Sequence, residues 1–89
     1  MLTKDIEIIN KLGLHARAAA KFVSTAGQFT SEVQLNKDGQ SINAKSIMGV
    51  MMLAASQGTR LTMTVDGDDE HEAMQALTAL VNDRFGEAA

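Results

Sequence analysis

The amino-acid sequence predicts an α+β domain in which helices cover one face of a mostly antiparallel sheet. Stretches of alternating apolar and polar residues are interleaved with stretches in which apolar residues recur every three or four positions. Their order is strand, helix, strand, strand, helix, strand, helix. The chain has 89 residues, is 45% hydrophobic and contains no Pro. Residues 1–89 are therefore expected to form one domain with one core.

The first ten residues predict a strand, because Leu2, Ile6 and Ile8 share one parity while the polar residues Thr3, Asp5 and Glu7 hold the other. A helix is predicted from Ala16 to Ala26, with Gly27 as its C-terminal stop. The apolar positions at helical spacing are Ala19, Phe22, Val23 and Ala26.

The middle of the chain predicts a hairpin followed by a short helix. Val33 and Leu35 alternate with polar residues, and residues 36–39, read NKDG, have turn chemistry before a second strand at residues 40–44. Residues 47–53 predict the second helix. Its apolar residues at helical spacing are Ile47, Val50, Met51 and Ala54.

The last strand and the last helix have the clearest patterns. Leu61, Met63 and Val65 alternate with polar residues, which predicts a strand with one buried face. Acidic residues after Gly67 then favour a helix N-terminus, and the helix is expected to end near Gly86. Its apolar stripe comprises Ala73, Met74, Leu77, Leu80 and Val81.

Composition excludes several classes of function. A net charge of −3 and an aromatic content of three Phe argue against nucleic-acid binding, which needs a basic surface and stacking side chains. No apolar stretch approaches the roughly 20 residues that span a bilayer, so membrane insertion is not expected. Without Cys there is no disulfide or thiolate zinc site. We expect a cytoplasmic protein with no metal and no cofactor.

The segment GLHARAAAKF places His15 where the first helix begins. Helix starts usually take Ser, Thr, Asp or Asn, and a poorly capping surface histidine is the simplest interpretation. However, the free N–H groups of the first turn and Arg17 would stabilise an anion beside the ring. The same positive surroundings would keep the ring neutral and nucleophilic. His15 is thus a candidate phosphate acceptor, whereas His71, among acidic residues, is expected to be a solvated surface residue.

The segments GLHARAAAKF and AKSIMGVMMLAASQGT closely resemble the HPr family, the histidine-containing phosphocarriers of the bacterial phosphoenolpyruvate-dependent phosphotransferase system. The resemblance implies a two-layer open-faced sandwich with a four-stranded antiparallel sheet and three helices on one face. It also implies that His15 accepts a phosphoryl group through Nδ1, with Arg17 as the assisting cation. Enzyme I would be the donor, and sugar-specific enzyme II A-type components would be the acceptors. Many family members have Pro where this chain has Ala18.

The second helix indicates a docking surface. Six of the seven residues from 47 to 53 are apolar, more than one buried stripe can hold. Core packing accounts for Val50 and Leu53, and flexible methionines suit a surface that binds several partners. The predicted docking residues are Ile47, Met48, Met51 and Met52.

Ser46 precedes this helix and is expected to cap it. The resemblance adds a regulatory role, because some bacteria phosphorylate the matching Lys-Ser-Ile segment with an ATP-dependent kinase. An HPr kinase/phosphorylase is therefore an expected partner. The chain is expected to be a monomer.

Other functions stay open at this point. A self-contained enzyme would need a general acid or base, yet the sequence places no ionisable residue other than Arg17 near His15. A non-catalytic interaction domain would explain the methionines but not the His-Ala-Arg helix start. A paralogue in the nitrogen-regulatory branch of the phosphotransferase system would share both the fold and the histidine.

Overall fold

A computed structural model describes all of residues 1–89. It contains four strands, three α-helices and one short 3₁₀ turn. The strands are β1 (Leu2–Glu7), β2 (Glu32–Lys37), β3 (Gln40–Asn43) and β4 (Arg60–Asp66). The helices are α1 (Ala16–Ala26), α2 (Ile47–Met52) and α3 (Glu70–Asn82), and the 3₁₀ turn spans Arg84–Gly86. The predicted order and number of elements are confirmed.

The strands form a single sheet in the order β1-β4-β2-β3. Every neighbouring pair is antiparallel. In the central strand β4, Leu61, Met63 and Val65 are buried while the alternate residues are half-buried or exposed. The helices cover the buried face, and the other face of the sheet is open to solvent. The predicted fold class is confirmed.

The hairpin between β2 and β3 turns through Asp38 and Gly39. Both residues have positive φ, 52° and 85°, as a two-residue loop that matches the twist of the strands requires. The side chain of Asn36 also accepts a hydrogen bond from the Gly39 N–H. The predicted hairpin is therefore confirmed, with its turn at the DG pair.

Of the three helices, α1 contributes the most buried residues to the core. Phe22 is 1% exposed, and Ala18, Ala19 and Ala26 are fully buried. Gly27 caps the helix as predicted, but with φ of −67°, so no left-handed conformation is needed there. Helix α2 directs Val50 into the core and ends at Met52.

Helix α3 ends at Asn82, so the prediction that it continues to near Gly86 is wrong. Arg84 and Phe85 both have φ of 55°, which a continuous helix cannot accommodate. Phe85 is fully buried, and burial of its ring favours this strained turn over another helical turn. The chain consequently reverses, and residues after Gly86 run back towards the start of α1.

None of the helices combines the length and the apolar character that crossing a membrane requires.

Candidate functional site

His15 occupies the N-cap position of α1. Its backbone is extended, with φ of −71° and ψ of 178°, which directs the side chain back over the first turn. The Arg17 backbone N–H donates to Nδ1 of His15 at 3.3 Å. The ring nitrogen thus takes the capping role that a serine or aspartate oxygen usually fills. The Arg17 side chain is exposed and makes no hydrogen bond or ion pair, so its charge is available to a bound anion.

The other ring nitrogen of His15 faces a carboxylate. Nε2 forms a hydrogen bond with Oε2 of Glu87, and both side chains are largely buried, 27% and 14% exposed. The expectation that Arg17 is the only ionisable residue near His15 is therefore wrong. Glu87 lies 72 positions away in sequence and reaches the ring because the chain reverses after α3.

Asn10 holds the Glu87 carboxylate in place. Asn10 is fully buried, and its side-chain amide donates to the Gly13 carbonyl at 2.8 Å and to Oε1 of Glu87 at 2.9 Å. The hydrogen bond from Asn10, followed by that from His15, lowers the pKa of Glu87 below its usual value. The carboxylate that faces His15 is consequently ionised at neutral pH.

Two further contacts attach the C-terminal segment beside the site. The Lys21 ammonium donates to the Phe85 carbonyl at 2.7 Å, and the Lys11 N–H donates to the Ala89 carbonyl at 3.0 Å. A groove remains between this segment and α1. The cationic residues along it are Lys11, Arg17 and Lys21. An anion bound at Nδ1 would therefore meet positive charge and the unpaired N–H groups of the first turn.

Ala18 follows Arg17 in that first turn and is fully buried. Its N–H is one of the first-turn N–H groups that have no acceptor within the helix. Proline at this position would remove that N–H. The alanine therefore leaves both the start of the helix and a donor intact.

Helix α2 presents an apolar surface. The predicted docking residues are exposed as follows: Ile47 40%, Met48 68%, Met51 42% and Met52 65%. Val50 and Leu53 are buried, as predicted. Leu12, an apolar residue with no periodic pattern to mark it in the sequence, is 68% exposed in the loop before His15. We call these five exposed residues the apolar surface.

Ser46 caps α2, as predicted. Its hydroxyl accepts a hydrogen bond from the Gly49 N–H at 3.2 Å, and the residue is exposed. His71 is likewise exposed on α3, so its predicted place at the surface is confirmed.

Known proteins resemble this chain over almost its whole length. The family described as "PTS HPr component phosphorylation site" matches residues 2–83. The chain is 61% identical over 87 residues to the phosphocarrier protein HPr of Neisseria meningitidis serogroup A, covering 98% of both chains. The crystal structure of HPr-C-His from Thermoanaerobacter tengcongensis is similar with a TM-score of 0.97, at 50% identity and full coverage of both chains.

A second structure from the same organism is described as an HPr dimer. It matches with a TM-score of 0.79 at 54% identity, covering 92% of this chain and 94% of that one. The family match, the relatives and the shared fold lead to one conclusion: the chain belongs to the HPr family of phosphocarrier proteins, which act in the phosphotransferase system.

Proposed function

We propose that His15 is the residue that carries the phosphoryl group, bound through Nδ1. The main support is that Nδ1 faces the N-terminus of α1, where it accepts the Arg17 N–H. A phosphoryl group on Nδ1 replaces the ring nitrogen as the acceptor for that N–H and for its neighbours in the first turn. The capping position is thus filled before and after transfer.

Arg17 is proposed as the cation that assists transfer. Its guanidinium is exposed and lines the groove beside His15. Arginine can form two parallel hydrogen bonds to phosphoryl oxygens. It therefore stabilises the charge on the group as it moves between donor and acceptor.

The donor is enzyme I and the acceptors are sugar-specific enzyme II A-type components, as the family implies. We propose that both kinds of partner dock on the apolar surface of α2, formed by Ile47, Met48, Met51 and Met52 with Leu12. Two observations support this role. Exposed methionines adapt to differently shaped partners, and the loop that carries Leu12 and His15 packs against the residues that follow α2 through the Leu14–Ala55 hydrogen bond.

Ser46 is proposed as a regulatory phosphorylation site for an HPr kinase/phosphorylase. Its hydroxyl is exposed at the start of α2, beside the apolar surface. A phosphate there carries about −1.5 to −2 charges. It is compatible with the helix N-terminus, but it opposes the approach of a partner to an apolar surface.

We further propose that the protein works as a monomer in the cytoplasm, where phosphoenolpyruvate is available to enzyme I. A monomer keeps His15 and the apolar surface open to each partner in turn. Gel filtration with light scattering tests this directly. A dimer at micromolar concentration would contradict it.

The decisive functional experiment follows a phosphoryl group through the protein. Phosphoenolpyruvate and catalytic enzyme I should add one acid-labile phosphate per chain, measured by intact mass. A sugar-specific enzyme II A-type component should then remove it faster than a nitrogen-regulatory component does. Failure of the first step would contradict the carrier role, and faster transfer to the nitrogen-regulatory component would assign the chain to the other branch.

A further inference from the structure

The two ring nitrogens of His15 have partners of opposite kinds. The Arg17 backbone N–H can only donate, so Nδ1 must offer its lone pair. The ionised Glu87 carboxylate can only accept, so Nε2 must carry the proton. Both contacts therefore require the same neutral tautomer of the ring, with the proton on Nε2 and the lone pair on Nδ1.

Glu87 is itself fixed from two directions. Asn10 donates to Oε1 from a fully buried position. The segment around Glu87 is held by the Lys21 contact on one side and the Lys11 contact on the other. The carboxylate is thus held beside His15 by contacts on both sides, although it follows the last regular helix.

We infer that Glu87 is a positioning residue for phosphoryl transfer: it selects the tautomer of His15 that presents the Nδ1 lone pair, and it offsets the charge that the ring acquires. This inference rests on the proposed role of His15. It assigns a role in transfer to the C-terminal segment, and it places Asn10 behind Glu87 as the group that orients it.

The transfer step then needs no proton movement. The Nδ1 lone pair forms the bond to phosphorus, and the bond between phosphorus and the donor breaks with its electrons returning to the donor. The ring keeps its proton on Nε2 and becomes positively charged, and the Glu87 carboxylate lies against that charge. In onward transfer the bond from phosphorus to Nδ1 breaks, its electrons return to Nδ1, and the original tautomer is restored.

The test measures tautomer and rate in the same variants. Nitrogen-15 NMR of the ring at a pH where His15 is neutral distinguishes a protonated nitrogen from one with a free lone pair. In wild type we expect the proton on Nε2. Glu87→Ala should give a mixture of tautomers and lower kcat for phosphorylation by enzyme I about tenfold, which corresponds to roughly 1.4 kcal/mol, with KM little changed.

Glu87→Gln separates the hydrogen bond from the charge. Its single amide oxygen accepts from Nε2 once its NH₂ group faces Asn10, whose unpartnered Oδ1 can turn to accept from it. The tautomer should then be retained, while kcat should fall because the neutral amide cannot offset the ring charge. Glu32→Gln is the matched control, since Glu32 is exposed on β2 and makes no side-chain hydrogen bond or ion pair. It should match wild type in both measurements.

A wild-type tautomer ratio or a wild-type kcat in Glu87→Ala would overturn the assignment. The thermal midpoints of the variants show that the domain stays folded. If wild type itself accepts no phosphate, the carrier role fails, while the NMR measurement still reports whether Glu87 sets the tautomer.

Discussion

Gly13 and Ala55 approach each other so closely that no side chain fits between them. A Cβ atom on Gly13 would lie 2.5 Å from the Ala55 carbonyl oxygen and 2.8 Å from the Cα of Ser56. Gly13 also has φ of +68°, in the region that favours glycine. The next residue, Leu14, donates its N–H to the Ala55 carbonyl at 2.8 Å. The loop before His15 is thereby attached to the segment that follows α2.

Gly13→Ala is expected to lower the free energy of unfolding by more than the ~1 to 2 kcal/mol that a positive φ alone costs alanine. The added methyl group meets backbone atoms, which cannot rotate away. Gly39→Ala is the matched control, because Gly39 has φ of +85° but nothing within 4 Å of its added Cβ. Urea denaturation measures both. Equal losses in the two variants would mean that the contact with Ala55 has no energetic importance.

Substitution by Asp should have opposite effects at an exposed and at a buried residue of α2. Met48 is 68% exposed and Val50 is fully buried. Met48→Asp should raise KM for enzyme I about tenfold, as expected for a central interface residue, with an unchanged thermal midpoint. Val50→Asp should cost more than about 4 kcal/mol and unfold the domain, because it buries an unpaired charge. Loss of stability in Met48→Asp comparable to that in Val50→Asp would assign Met48 to the core instead.

Two substitutions of Ser46 distinguish its role as a helix cap from a role as a regulatory site. Ser46→Asp keeps a side-chain oxygen for the Gly49 N–H, so stability should be unchanged or slightly raised. Phosphorylation of His15 by enzyme I should nevertheless slow at least several-fold. Ser46→Ala is the control, expected to lose about 1 kcal/mol of stability while keeping the wild-type rate. A wild-type rate in Ser46→Asp over a range of enzyme I concentrations would leave Ser46 as a cap only.

Acid stability should depend on Asp69. Its carboxylate accepts hydrogen bonds from the Ser31 hydroxyl and from the N–H groups of Thr30 and Ser31. The Ser31 hydroxyl, then the Thr30 N–H, lower the pKa of Asp69 from 3.8 to about 2. Since the pKa is lower in the folded state, the stabilisation is fully present above pH 4 and disappears as the pH falls towards 2.

Urea unfolding of Asp69→Asn at pH 7 and at pH 2 tests this dependence. The variant should be less stable than wild type at pH 7, and the difference should nearly vanish at pH 2. Asp68→Asn, which alters an exposed neighbour without a side-chain hydrogen bond, should lose little at either pH. A difference between Asp69→Asn and wild type that is independent of pH would contradict this account.

The regular elements could be predicted from sequence because their patterns are local. The alternation of Leu61, Met63 and Val65 follows directly from the two faces of β4. The helical spacing of Ala19, Phe22 and Ala26 likewise matches the buried face of α1. His15 at the start of α1 could be recognised for the same reason, since its partner is the backbone of a residue two positions away.

Glu87 and Asn10 could not be predicted as part of the site, because they reach it through contacts between residues that are far apart in sequence. Glu87 contacts His15 only because the chain reverses at Arg84 and Phe85, and neither residue is a usual signal for positive φ. Asn10 follows the apolar residues of the first strand and shows no pattern that marks a buried amide. Leu12 is an isolated apolar residue in a loop, so periodicity gives no information about its exposure.

His15 is the proposed carrier of the phosphoryl group, and the intact mass of three proteins tests this role. Wild type, His15→Ala and His71→Ala are incubated with phosphoenolpyruvate and catalytic enzyme I, and unfolding curves confirm that each is folded. His71 is the other histidine of the chain and is exposed on α3. Wild type and His71→Ala should each gain one acid-labile phosphate, and His15→Ala should gain none. A phosphate on His15→Ala, or its loss in His71→Ala, would contradict this role.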